Sequence, residues 1–168
     1  MKPPFVVDVV ALRRHHGHQE SLAFRAPLPG MRVLESEVPG DAKVSVELTL
    51  EAVEGGIVVK GEITAPWVGE CRRCLCPVAG EVATHVEELY VREPEDGEAY
   101  PIEGDHIDLE PLARETVVLA LPLAPLCRPD CEGLCPTCGA DRNAGACGCD
   151  QALGDPRWAA LDGLREKS

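Results

Sequence analysis

The chain has 168 residues, with 29 acids against 16 lysines and arginines, a net charge of −13, and nine cysteines. A protein this acidic meets repulsion on approaching free nucleic acid, which argues against a general nucleic-acid binder and makes a basic protein an easier partner. The length suits one ordinary domain plus a small appended module, and the 4% aromatic content leaves the core to Val, Leu, Ile and Ala.

The first residues, Met1 to Phe5, followed by an apolar run broken by Asp8 and then by Arg13 and Arg14, do not have the form of a signal peptide. Thr116 to Cys127, the longest charge-free stretch, contains Pro122 and Pro125 and falls short of the roughly 18 residues a membrane span needs. A soluble, cytoplasmic protein is expected, with no membrane partner and no small-molecule substrate. In that reducing setting clustered cysteines are metal ligands or redox groups more often than disulfides.

Phe5 to Leu12 reads as a first strand, followed by a polar, basic loop through Arg13 to Glu20. The prolines and glycines between Ser21 and Asp41 predict an irregular connection. Val44, Val46, Leu48 and Leu50 alternate with polar residues, the period-2 pattern of a half-buried strand, and Glu54-Gly55-Gly56 turns the chain into a second arm, Ile57 to Ala65. Cys71-Arg-Arg-Cys74 then sits at a hairpin tip before another β-type run, Val82 to Val91. Residues 87 to 110 hold ten acids against Arg92, and the part from 93 to 107 is expected to be a mobile acidic loop. By contrast, residues 1 to 34 carry a local charge of +3.

Asp108 is placed to cap a helix running to Pro122, with Leu109, Leu112, Val117 and Leu119 available to its core face. Asp155-Pro156 starts a short C-terminal helix carrying Trp158, Leu161 and Leu164. The division is therefore a β-rich core over 1–92 with the Cys71/Cys74 knuckle, an acidic loop over 93–107, and a helix, cysteine lobe and terminal helix over 108–168. The expected fold class is α+β: an antiparallel β-rich core with a few helices and a zinc-ordered C-terminal lobe.

Six cysteines lie between Cys127 and Cys149, and Leu134 is the one large apolar side chain from Cys127 to Asp150. Such a segment cannot build a core, whereas a structural four-thiolate zinc site supplies on the order of 10–16 kcal/mol of folding free energy. Cys135-Pro-Thr-Cys138-Gly has the form of a zinc knuckle. Cys147 and Cys149 can complete that site from one side, or Cys127 and Cys131 from the other. Cys71 and Cys74 read as half of a second zinc site, as a redox pair, or as two plain thiols. Two four-cysteine sites would leave one thiol spare, with Cys76 the candidate, so one zinc ion or two are expected. A structural role is favoured over a catalytic one, because no histidine follows Cys127 and no His-Glu-x-x-His motif occurs. His15, His16 and His18 read as a solvated loop. Arg13, Arg14, Arg72 and Arg73 are candidate phosphate contacts.

Four segments resemble the YceD family, the large ribosomal RNA subunit accumulation proteins, and look like its Gram-positive branch. They are Phe5-Val-Val-Asp8 with Leu12-Arg-Arg14; Gly69-Glu-Cys71-Arg-Arg-Cys74-Leu75; Leu119-Ala-Leu-Pro122 through Pro125-Leu-Cys127-Arg-Pro-Asp-Cys131-Glu-Gly-Leu-Cys135-Pro-Thr-Cys138-Gly; and Asp155-Pro-Arg-Trp158-Ala-Ala-Leu161. The resemblance implies a non-enzymatic factor for 23S ribosomal RNA accumulation or processing and large-subunit assembly. It carries the family's middle cysteine pair onto Cys71 and Cys74 and its C-terminal block onto Cys127, Cys131, Cys135 and Cys138. The expected partners are precursor large-subunit RNA, a basic ribosomal protein, or both. Two other classes stand beside it: a zinc-dependent thiol redox sensor or enzyme, which needs an accessible low-pKa cysteine, and a zinc-ribbon nucleic-acid-binding regulator, which the charge disfavours.

Overall fold

The computed structural model describes residues 4–95 and 99–149. Its framework is a curled sheet dominated by two fifteen-residue strands, β6 (Gly56–Glu70) and β7 (Pro77–Val91), paired antiparallel from Gly56↔Val91 to Glu70↔Pro77. The other edge of β6 is shared. Its first half pairs with β5 (Lys43–Val53), and Val68 and Gly69 pair with β4 (Ser36–Glu37), which pairs in turn with β3 (Arg32–Val33). The β5–β6 hairpin turns where Glu54-Gly55-Gly56 predicts it. Along β5, Val44, Val46, Leu48 and Leu50 are all buried, as the alternation requires.

Three segments differ from their expected form. β2 (Gln19–Pro27) is a full strand against β5, not an irregular connection: Leu22, Phe24 and Ala26 turn inward at period 2, and Pro27 is tolerated because among the described residues β2 has no partner on its other edge. The first strand is short, β1 (Val6–Asp8), and Leu12–Arg14 instead forms a 3-10 turn with Leu12 buried. The acidic segment is not a loop throughout. Tyr100–Glu103 forms β8, parallel to the end of β7, and His106–Asp108 forms β9, paired with β8 and β1. Its few apolar residues fall where they bury: Ile102 and Ile107 enter the core, and the Tyr100 ring stacks on Tyr90 at 5.1 Å. The core therefore continues past residue 92, and the sheet is antiparallel except at β7–β8.

One α-helix, α1 (Glu110–Ala120), is described. The N-cap is Leu109, with no side-chain cap, and Asp108, one position earlier than a cap would stand, accepts the Glu110 amide at 2.9 Å. Leu109, Ala113, Val117 and Leu121 form the buried four-residue ladder. Leu119, two positions beyond Val117 and so roughly 200° around the axis, is 85% exposed and does not join the core. Among the described residues no helix is long and apolar enough to cross a membrane. The expected C-terminal helix with Trp158 lies outside the described residues.

Candidate metal centres

The long β6–β7 hairpin carries Cys71 to Cys76 outward as its tip. There the Cys71 amide donates to the Cys76 carbonyl and the Leu75 amide to the Cys71 carbonyl, each at 2.8 Å. The same two bonds recur sixty-four residues on: the Cys135 amide donates to Ala140 and the Gly139 amide to Cys135, again at 2.8 Å. Both turns place the residue after the second cysteine in the left-handed region, Gly139 at φ 73° and Leu75 at φ 61°. The chain thus contains two copies of one knuckle, the second with the glycine that this conformation favours and the first with a leucine.

After α1 the chain returns to the hairpin tip and is stitched to it. The Arg72 amide donates to the Pro125 carbonyl, and the Leu134 amide to the Arg73 carbonyl. The Arg73 guanidinium donates to the carbonyls of Cys131 at 2.8 Å and Pro129 at 3.3 Å. At Gly133, φ is 75° and a Cβ would lie 2.8 Å from the Arg73 carbonyl oxygen, so glycine permits both the turn and the close approach. The 3-10 turn Arg142–Ala144 follows, with the Asp141 side chain accepting the Asn143 amide.

This docking gathers all nine thiols. The sulfurs of Cys71, Cys74, Cys76 and Cys127 lie within 4.8 Å of one another, as do those of Cys135, Cys138, Cys147 and Cys149, and each group can hold a metal ion. Cys131 adjoins the first group, its sulfur 3.8 Å from that of Cys71. Cys76, expected to be the spare thiol, sits inside the first group, 3.2 Å from Cys74. Of the alternatives for closing the Cys135/Cys138 site, the structure places Cys147 and Cys149 there; Cys127 and Cys131 belong with Cys71 and Cys74.

The electrostatics prepare each knuckle for a cation. Burial pushes the Cys71 thiol up, but the amides of Cys127, Cys74 and Arg73 aimed at its sulfur outweigh this and bring it to about 6. Cys135 is lowered to about 6 by the amides of Cys138 and Thr137 and by the Cys147 thiol, against some burial. Other members move the opposite way. Cys127 is raised by desolvation and by the neighbouring thiols Cys131, Cys74, Cys71 and Cys76, and Cys149 is raised to about 12, chiefly by Cys138 and Cys147. Each group holds a ready thiolate beside a thiol that resists losing its proton, because negative charge cannot accumulate there without a cation.

Asn143 links the two groups, a role with no signal in the sequence. It belongs to the loop between Cys138 and Cys147, yet its Nδ2 donates to the Cys131 sulfur at 3.4 Å, while its Oδ1 accepts from the Glu132 amide at 2.9 Å and from Arg128 at 2.6 Å.

The four candidate arginines do not form one patch. Arg72 and Arg73 are at the hairpin tip, whereas Arg13 and Arg14 sit beside the β5–β6 turn, where Gly17 and His18 bond to Ala52. Fourteen steps of β6 separate the two ends, roughly 45 Å of extended chain. Arg13 is tied to the β8–β9 turn, donating to the Gly104 carbonyl at 3.1 Å and lying 3.5 Å from Asp105; Arg14 is exposed.

The family profile described as large ribosomal RNA subunit accumulation protein YceD matches residues 59–165. An uncharacterised protein of Mycobacterium tuberculosis H37Rv is 37% identical over 166 residues, covering 94% of this chain and 80% of the relative. An uncharacterised protein of Mycobacterium leprae is 34% identical over 147 residues, covering 81% of this chain and 66% of the relative. The chloroplastic large ribosomal RNA subunit accumulation protein YCED homolog 1 of Arabidopsis thaliana is 33% identical over 73 residues, covering 44% of this chain and 23% of that protein. No solved structure matches the chain. The profile's span takes in both knuckles and everything between them, and on these grounds the chain belongs to the YceD family.

Proposed function

We propose that the protein is a non-enzymatic, cytoplasmic ribosome-biogenesis factor that supports accumulation of 23S ribosomal RNA and assembly of the large subunit. The observation that carries this reading is the YceD match over residues 59–165. Its partners on this reading are precursor large-subunit RNA, a basic ribosomal protein drawn to the acidic residues, or both. The two cysteine groups hold structural zinc, because among the described residues each offers thiolates alone, the donor set of a closed site without a position for substrate.

For the first centre the ligands are Cys71, Cys74, Cys127 and Cys131. Zinc–sulfur bonds of about 2.3 Å in a tetrahedron set the sulfurs about 3.8 Å apart. Cys71–Cys131 at 3.8 Å and Cys74–Cys127 at 3.6 Å fit that edge, whereas Cys74–Cys76 at 3.2 Å is too short for two ligands of one ion. The Asn143 bond to the Cys131 sulfur adds the outer-shell donor that orients a ligand. For the second centre they are Cys135, Cys138, Cys147 and Cys149.

The test is depletion of the protein in cells, reading the ratio of 23S to 16S ribosomal RNA and the 50S peak of a sucrose gradient. The expected outcome is a selective fall in both. An unchanged ratio overturns the reading.

A further inference from the structure

At the end of the hairpin far from the cysteines lies a cleft of about 270 Å³, enclosed by the loop after the Leu12–Arg14 turn, the β5–β6 turn and the ends of β7 and β8. Among the described residues its charged and ionisable lining consists of Arg13, His16 and Arg92, with no acidic residue. In a chain with 29 acids and 16 lysines and arginines, a cleft with cationic walls needs an account. The 3-10 turn packs against β5, and just after His16 the Gly17 amide donates to the Ala52 carbonyl and the Ala52 amide to the His18 carbonyl, so this wall is held in place. Arg13 is anchored by the Gly104 carbonyl, with Asp105 at 3.5 Å as a partial counter-charge outside the lining. Arg92 follows directly on β7 and, among the described residues, has no carboxylate within ion-pairing distance. Gly55 and Gly56 of the β5–β6 turn complete the lining with Ala52, Val53 and Ile102.

Two guanidinium groups lining one cleft repel unless an anion lies between them, and guanidinium groups match the geometry of phosphate oxygens. We infer that this cleft binds a backbone phosphate of RNA, with Arg92 and Arg13 as the charged contacts and His16 as a further donor. The inference rests on the ribosomal reading for the source of the phosphate, and of the four candidate arginines it favours the end of the sheet that carries Arg13 over the cysteine tip that carries Arg72 and Arg73. Local positive charge here also answers the objection that the whole protein is acidic. A cleft draws on nearby charge at contact distance, whereas the net charge acts over longer range and is screened within roughly 10 Å at moderate salt.

The test uses the full-length, zinc-loaded protein and a fluorescently labelled 12-nucleotide single-stranded RNA, followed by anisotropy across a salt series. Arg92→Ala and His16→Ala are compared with wild type and with Arg25→Ala, which removes an exposed β2 arginine outside the cleft. The expected result is about five- to tenfold weaker binding for Arg92→Ala, a smaller loss for His16→Ala, and a salt slope shallower by about 0.7 for Arg92→Ala. Arg92→Lys should recover part of the loss. Binding by Arg92→Ala within about twofold of wild type, or an equal loss for Arg25→Ala, overturns the cleft. Displacement of the RNA by inorganic phosphate at micromolar concentration overturns RNA as the source and assigns the site to free phosphate. The two readings fail separately: an altered 23S ratio on depletion with unaltered RNA affinity in Arg92→Ala removes the cleft alone, and the reverse pattern removes the ribosomal function alone.

Discussion

Leu75 holds a left-handed backbone conformation, φ 61°, at the position where the second knuckle has Gly139. A side chain there costs roughly 1–2 kcal/mol, and Leu75 recovers little of it, being 58% exposed. Leu75→Gly should therefore stabilise the protein by about 0.5–1 kcal/mol after the extra unfolded-state entropy of glycine, seen as a higher denaturant midpoint at unchanged slope. The thiols make a second prediction. Cys76→Ser should retain two zinc ions per chain by elemental analysis and Cys131→Ser should retain one; the reverse result would give Cys76 the ligand role. At this scale the cysteine motifs were legible in the sequence, since Cys-x-x-Cys spacing brings its two thiols together, as it does for Cys71 with Cys74 and Cys135 with Cys138. Which distant thiols complete each set was not, because that depends on where the chain returns after α1. Asn143 left no trace at all: its contact with Cys131 arises from folding, and neither its type nor its spacing marks it.

The elements that position the centres are the β6–β7 hairpin and the lobe bonded to its tip. Asn143→Ala removes the donor to the Cys131 sulfur and should release zinc from the first centre about 10–100-fold more readily to a chromogenic chelator, while the second centre keeps its ion. Gly133→Ala tests the joint itself. A methyl group 2.8 Å from the Arg73 carbonyl in a left-handed backbone should destabilise the lobe by about 1–3 kcal/mol, detected as faster amide exchange over residues 125–145 with the sheet unchanged. Hairpin β5–β6 was readable from alternation and a Glu-Gly-Gly turn. β2 was obscured by its flanking prolines, which an edge strand accepts, and β8 and β9 by an acidic composition that hides three well-placed apolar residues, Tyr100, Ile102 and Ile107. Composition averages over a segment, whereas burial needs only alternate positions to be apolar.

Across the whole molecule, the two cysteine groups at one end and the cleft lined by Arg13 and Arg92 at the other are separated by the length of β6. Ligand thiols must be deprotonated, so zinc affinity should fall as pH falls. With Cys71 and Cys135 at about 6, each group already holds a largely ionised thiol at pH 7, and loading should release fewer than four protons per ion, measurable by calorimetry in buffers of different ionisation enthalpy. The two centres also differ in span. All four thiols of the second fall between residues 135 and 149, whereas the first joins Cys74 to Cys127 across a loop containing β7, β8, β9 and α1. An ion there is a long-range cross-link, and by the reasoning applied to disulfides a loop of this length removes about 4 kcal/mol of freedom from the unfolded chain. It also sets a timetable. During synthesis an ion held by both Cys74 and Cys127 could be enclosed only after about three quarters of the chain has been made, by which point every residue of β5, β6 and β7 precedes it.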